Sequence, residues 1–332
     1  MPNPGTPRLL KLDLMGTPYS QPHLLSIRNL SKRYGDLVAV NDVSLNIAPG
    51  EIFALLGVNG AGKTTMIGCI TGLISKFEGD IRVAGYDVRR DYRITRQLVG
   101  LVPQELNFDG FFPTAETVRY QGGYFGQRDI RRRAAGLLES FALTEKAEAN
   151  TRRLSGGMKR RLMVCKALMH EPALLFLDEP TAGVDVNLRE ELWNYIQNLR
   201  ASGTTIVLTT HYLEEAENLA DRIGIVNRGR LLRVDSRESL MRTFGRRWIE
   251  VRLSDRVPAS LLESLDRFQP ETPEPDRLRI TFSEIEHRKD NGETPVKHLL
   301  RCVQDSGLEI ETLEGGRSKL EDIFREVVDS DH

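Results

Sequence analysis

Two short stretches of this chain carry residues suited to phosphate chemistry. The first is Gly57-Val58-Asn59-Gly60-Ala61-Gly62-Lys63-Thr64, with Thr65 behind it. It follows the apolar run at residues 52–56 and precedes a helical pattern at 65–73, so a strand ends, glycines turn the chain and a helix begins. Glycines in that place let successive backbone N–H groups curl round a phosphate, and the helix N-terminus adds a favourable dipole. Lys63 can reach β- and γ-phosphate oxygens, and the Thr64 hydroxyl can ligate Mg²⁺. The expectation is a nucleoside triphosphate bound together with magnesium.

The second stretch is Leu174-Leu175-Phe176-Leu177-Asp178-Glu179. An apolar strand that ends in Asp178 can present its carboxylate to Mg²⁺, directly or through water. Glu179 can face an attacking water as a general base or a positioning group. Upstream, Leu154-Ser155-Gly156-Gly157-Met158 places two glycines and a hydroxyl at a helix start, where exposed N–H groups suit a γ-phosphate.

The elements that must hold these residues read as alternating strands and helices. Strand patterns occupy residues 24–30, 39–47, 52–56, 81–83, 100–102, 173–177 and 205–209, with a hairpin at 223–234 turning on Arg228-Gly229. Residues 114–166 are helical, with Ala134, Leu137, Leu138 and Phe141 at helical spacing, and a helix runs through Leu192, Ile196 and Leu199. Such alternation around a phosphate loop predicts a largely parallel sheet covered on both faces, an α/β fold. After about residue 236 the pattern becomes β-α-β-α-β-α. Ile249, Val251 and Leu253 alternate with Glu250 and Arg252 as a half-exposed strand. Ser318 and Glu321 read as a capping box ahead of a helix with Leu320, Ile323, Phe324 and Val327 on one face. This predicts a small C-terminal α+β domain at 236–332.

Composition narrows the setting. With 332 residues there is length for one large domain or two moderate ones, and 28% charged with 40% hydrophobic residues is ordinary for a globular chain. A net charge of −1 gives no electrostatic footprint for nucleic acid. Arg131-Arg132-Arg133 reads as a solvated helix face. Cys69, Cys165 and Cys302 form no metal-spaced pair and read as reduced thiols of a cytoplasmic compartment. No segment approaches the ~20 consecutive apolar residues of a membrane-spanning helix. Residues 1–23, rich in proline and lacking a long apolar core, are expected to be a disordered tail rather than a secretory signal.

With these motifs in order, residues 24–235 resemble the nucleotide-binding domain of an ATP-binding-cassette (ABC) ATPase. The resemblance assigns Gly57, Asn59, Gly60, Ala61, Gly62, Lys63, Thr64 and Thr65 to the Walker A loop and Asp178 to Walker B. Glu179 is the adjoining glutamate, Gln104 the Q-loop residue and His211 the switch histidine. Ala182-Gly183-Val184-Asp185 occupies the D-loop, with Val184 where leucine is frequent. Tyr34 stands where the family stacks an aromatic on adenine. The implied fold is a P-loop nucleotide-binding domain with a core mixed or parallel sheet, an inserted helical subdomain at about 105–166, and the C-terminal α+β domain. The implied cofactors are ATP and Mg²⁺, with Thr64, Gln104 and Asp178 on the metal and Lys63, Glu179 and His211 in catalysis. In such proteins Ser155, Gly156 and Gly157 act in trans on ATP held by a second subunit, which implies a homodimer.

The segment Leu320-Glu321-Asp322-Ile323-Phe324 resembles the tail of exporter ATPases for drugs, polysaccharides and nodulation factors, and Met158-Lys159-Arg160-Arg161-Leu162 looks like the same branch. That implies a separate polytopic permease and a peripheral place on the cytoplasmic face of the inner membrane. An importer ATPase with a ligand-sensing C-terminal domain is the second reading. A soluble cassette protein working outside transport is the third.

Overall fold

The computed structural model describes residues 22–105, 110–182, 186–243, 246–283, 294–317 and 320–329. Most of the expected tail, D-loop residues 183–185 and the Ser318 cap therefore lie outside the described residues. The chain divides into two compact units, residues 1–234 and 235–332.

The strands of the first unit are β1 (Leu25–Tyr34), β2 (Leu37–Ile47), β3 (Ile52–Leu56), β4 (Glu78–Val83), β5 (Tyr86–Asp87), β6 (Val99–Val102), β7 (Leu174–Asp178), β8 (Thr205–Thr210), β9 (Arg222–Asn227) and β10 (Arg230–Ser236). They form two sheets rather than one. The six-stranded sheet runs β10-β9-β3-β8-β7-β6, and its members from β9 to β6 are parallel neighbours. Every residue of β3, β7 and β8 is buried, as their unbroken apolar sequences require of strands covered on both faces. The remaining strands form a four-stranded antiparallel sheet, β2-β1-β4-β5. Burial alternates along β1 and β2, because only one of their faces meets the core. The pattern reading found these strands without separating the second sheet.

The helices of this unit are α1 (Lys63–Ile70), α2 (Tyr92–Leu98), α3 (Thr114–Tyr124), α4 (Ile130–Ser140), α5 (Gly156–Leu168), α6 (Val186–Ala201) and α7 (Leu213–Leu219). Contacts among α3, α4 and α5 make a helical layer between β6 and β7 in sequence. The arginine run does not all face water. Arg131 and Arg132 are exposed, whereas Arg133 turns inward and donates from Nε to the Met169 carbonyl and from Nη2 to the Leu168 carbonyl, both at 2.7 Å, while pairing with Glu171. A cation there satisfies carbonyls that the end of α5 leaves without helical partners.

The second unit holds α8 (Arg237–Thr243), β11 (Arg246–Leu253), α9 (Ala259–Ser264), β12 (Arg277–Ser283), α10 (Pro295–Asp305), β13 (Ile310–Arg317) and α11 (Leu320–Asp329). Its sheet is antiparallel with order β12-β11-β13. Ile249, Val251, Leu253, Leu278, Ile280 and Phe282 bury one face against Leu261, Leu265, Leu299 and Val303. Glu250 departs from the expected polar-outward alternation. It is buried, and its two carboxylate oxygens pair with Arg277 at 3.1 Å and Arg279 at 2.7 Å on the neighbouring strand.

Candidate functional site

Four adjacent parallel strands, β3, β8, β7 and β6, end along one edge of the six-stranded sheet, and each delivers site residues. Leu56 at the end of β3 pairs with Thr210, Asp178 pairs with Thr209, and Leu177 pairs with Val102, one residue before Pro103-Gln104. A crevice outside the carboxyl ends of parallel strands is where α/β folds bind ligands.

From β3 the chain turns through residues 57–62 into α1. Gly62 has φ 101°, and a β-carbon on it would stand 2.3 Å from the carbonyl oxygen of Ala39 on β2, so no other residue fits. Asn59 and Gly60 are exposed, Ala61 is buried, and Thr64 and Thr65 in the first turn of α1 retain solvent access. First-turn N–H groups of a helix have no intrahelical partner, so this turn presents donors to an anion. The Lys63 ammonium folds back onto the loop, donating to the carbonyls of Gly57 at 2.6 Å and Val58 at 3.2 Å. Its Nζ lies 3.6 Å from Glu179 Oε1. Burial pushes the Lys63 pKa below its usual value, and the charges of Glu179 and then Asp178 oppose that shift.

Glu179 is the hub. Gln104 Nε2 donates to its Oε2 at 3.0 Å, and His211 Nδ1 stands 3.3 Å from its Oε1 without closing a hydrogen bond. Its backbone has φ 47°, a left-handed conformation rare outside glycine. The Glu179 N–H donates to both the carbonyl and the hydroxyl oxygen of Thr209, at 3.1 and 3.0 Å. The Thr209 hydroxyl in turn donates to Asp178 Oδ1 at 2.5 Å. Thus Lys63, Gln104, Asp178, Glu179 and His211 come together around one point.

Tyr34 and the Ser155-Gly156-Gly157 turn do not join this group by any described hydrogen bond or ion pair. Tyr34 is exposed at the end of β1, with the Lys32 ammonium 4.5 Å above its ring. Ser155 caps α5, accepting from the Met158 N–H at 3.3 Å, and it and Gly156 are exposed at the helix start. The residues expected at the D-loop end, 183–185, lie outside the described residues.

Sequence reading missed three participants. Thr209 orders both acids. Arg160, buried on α5, donates to the carbonyls of Pro103 at 2.8 Å and Glu179 at 3.1 Å. Glu215 on α7 is buried, and burial pushes its carboxyl above the ordinary carboxylate range, opposed by Thr210, Thr181 and Trp193 around it. Arg160 stands within the basic run Lys159-Arg160-Arg161, so nothing in the local pattern marked it as the buried one.

The donor set suits magnesium and a triphosphate. Among the described residues no cluster of three or more His, Cys, Asp and Glu side chains could hold a metal ion by itself. One carboxylate, a hydroxyl and an amide oxygen fit Mg²⁺, which completes its shell with phosphate oxygens and water.

Residues 40–182 match the family model described as ABC transporter. The chain is 44% identical over 209 residues to a Nod factor export ATP-binding protein I of Cupriavidus pinatubonensis, an alignment spanning 62% of this chain and 64% of that one, just under two thirds of the relative's length. It is 36% identical to the linearmycin resistance ATP-binding protein LnrL of Bacillus subtilis over 80% of this chain and 87% of that protein. It is 34% identical to the daunorubicin resistance ATP-binding protein DrrA3 of Streptomyces coeruleorubidus over 92% and 96%. Among solved structures it resembles an ATP binding subunit of an ABC transporter, with TM-score 0.62 and 30% identity over 67% of this chain and 93% of that one. It also resembles an ATP-binding cassette seen as a dimer in a post-hydrolysis state with ADP and Pi, with TM-score 0.59 and 26% identity over 64% and 98%. The chain belongs to the ABC transporter family, and the relatives it matches over most of their length are ATP-binding proteins.

Proposed function

We propose that this chain hydrolyses ATP as a homodimer and powers an exporter whose membrane path is a separate polytopic permease. The observation that carries the reading is the convergence of Lys63, Gln104 and His211 on the Glu179 carboxylate at one edge of the parallel sheet. Residues 57–65 cradle the phosphates, with Lys63 on the β/γ oxygens. Thr64, Asp178 and Gln104 hold Mg²⁺, which neutralises charge on the phosphates when bound. Glu179 orients or deprotonates the attacking water, and His211 steadies the γ-phosphate. Tyr34 stacks on the adenine. Ser155, Gly156 and Gly157 complete the partner's site in trans, which accounts for an exposed helix start in a chain with one copy of each motif.

A groove of about 390 Å³ supports the permease. It is lined by Leu73, Leu101, Phe125 and Met163 with Arg96 and Lys166, and Leu73 and Tyr124 are among the most exposed large apolar residues. Apolar surface of this kind marks a protein contact. No described helix is long and apolar enough to cross a membrane. In this reading the chain works peripherally, docked on its permease at the cytoplasmic face of the inner membrane. Residues 24–235 form the ATP-binding domain, with the helical subdomain at about 105–166, and residues 236–332 an accessory domain. Co-purification from native membranes in mild detergent tests this. A polytopic partner should be recovered, with ATP turnover that Glu179→Gln abolishes. Recovery only with ribosomal or assembly proteins would overturn the transport reading.

A further inference from the structure

We propose that Arg160 is a positioning residue that ties the Ser155-Gly156-Gly157 turn, acting at one ATP site of the dimer, to Glu179 of the other site. The inference rests on the composite-dimer reading above. Arg160 lies on α5, the helix that Ser155 caps and Gly156 begins, and is almost fully buried. Its planar guanidinium spans the two segments that leave the ends of the paired strands β6 and β7. Nη1 donates to the Pro103 carbonyl at 2.8 Å and Nη2 to the Glu179 carbonyl at 3.1 Å.

These two bonds fix Glu179 from two directions. Pro103 immediately precedes Gln104, whose amide donates to the Glu179 carboxylate at 3.0 Å. The Glu179 carbonyl belongs to a peptide held in the left-handed region, φ 47°, which persists only where its surroundings enforce it. Thr209 holds the N–H side of that residue and Arg160 the carbonyl side. Burial disfavours the guanidinium's charge there, and the charges of Asp178, Glu215 and Glu179 oppose that effect.

Because α5 packs as a rigid rod, with Leu162, Met163, Val164 and Cys165 buried behind Arg160, displacement of its first turn displaces Arg160 too. Engagement of Ser155–Gly157 with the partner's nucleotide therefore moves the guanidinium that sets the Glu179 backbone and the Gln104 loop. Each site then reports its occupancy to the glutamate of the other, and turnover is cooperative in ATP.

The test uses the purified full-length chain with wild type, Arg160→Gln and Arg160→Lys. It reads kcat, the Hill coefficient for ATP, binding of a fluorescent ATP analogue and the melting temperature. The expected result is Arg160→Gln with kcat down about tenfold or more, a Hill coefficient near one and analogue affinity within about twofold of wild type. Arg160→Lys, which keeps the charge and one carbonyl contact, should recover part of kcat. If Arg160→Gln does not fold, a Lys variant with reduced kcat, reduced cooperativity and normal binding supports the proposal by itself. Wild-type kcat and Hill coefficient in Arg160→Lys together with either an unaltered or an unfolded Gln variant would overturn it, as would a Hill coefficient of one in the wild type. Absent turnover in the wild type, or normal turnover in Glu179→Gln, would instead refute the ATPase reading and is read out separately.

Discussion

Lys63 Nζ and Glu179 Oε1 stand 3.6 Å apart, both side chains less than a tenth exposed, one at the start of α1 and the other just past the end of β7. Each is the other's principal counter-charge, which lets two ions share a desolvated site. Truncating either partner leaves the other uncompensated, so an isosteric change is the cleaner probe. Glu179→Gln keeps the shape that Gln104 and His211 face but removes the negative charge. Turnover is expected to fall by a factor of about 10²–10⁴, with ATP binding retained. Steady-state phosphate release and nucleotide titration check this, and turnover within a few-fold of wild type would remove Glu179 from its role.

Gly62→Ala is expected to abolish nucleotide binding. The added β-carbon would stand 2.3 Å from a backbone oxygen, Ala39 O, which cannot swing away as a side chain would. With the positive φ, the substitution should cost about 1–3 kcal/mol, read as a melting temperature lowered by several degrees in thermal denaturation.

Glu215 makes stability depend on pH in a direction opposite to that of most acids. Its folded-state pKa is raised from 4.5, chiefly by burial. Below pH 4.5 folded and unfolded chains both carry the proton, and as pH rises the unfolded chain releases it first. Stability is therefore lost as pH climbs from 4.5 through the folded-state value. Glu215→Gln should flatten that decline and melt roughly 2–4 °C higher at pH 7–8, while matching wild type near pH 4. Thermal melts across the pH series decide it, and parallel curves for the two proteins would contradict the assignment.

The cysteines should separate by reactivity. Burial pushes the Cys69 thiol up to about 11 and the Cys165 thiol higher still. At pH 8 roughly one Cys69 in a thousand is then thiolate, the reactive form. Cys302 is half-buried and reachable. Iodoacetamide treatment of the native protein at pH 8, followed by mass spectrometry, should find a single adduct on Cys302. Comparable labelling of Cys69 would mean that α1 opens readily.

What the sequence made legible was whatever a contiguous run encodes. Residues 57–64, Asp178-Glu179 and His211 sit at the ends of apolar strands, so their placement follows from chain continuity. Thr209, Arg160 and Glu215 escaped because their partners are remote. Thr209 meets Asp178 only because β8 inserts between β3 and β7, an order that no local pattern states. Arg160 reaches a carbonyl 57 residues away. Glu250 was misjudged for a similar reason: the alternation of β11 gave its face, but the arginines that enclose it belong to β12.

In the second unit α11 packs on α8, so the last element described there closes against the first. Leu320 and Ile323 of the Leu-Glu-Asp-Ile-Phe segment are buried, which makes two of its five residues part of a structural seam. The closing contact spans nearly the whole unit in sequence, and it cannot form on the ribosome until α11 has emerged. At a synthesis rate of about 5–20 residues per second, the phosphate-binding unit has seconds to fold before its neighbour can. Truncation just before residue 320 should leave an ATP-binding protein in which α8 has lost its covering helix while the core of β11, β12, β13, α9 and α10 still forms.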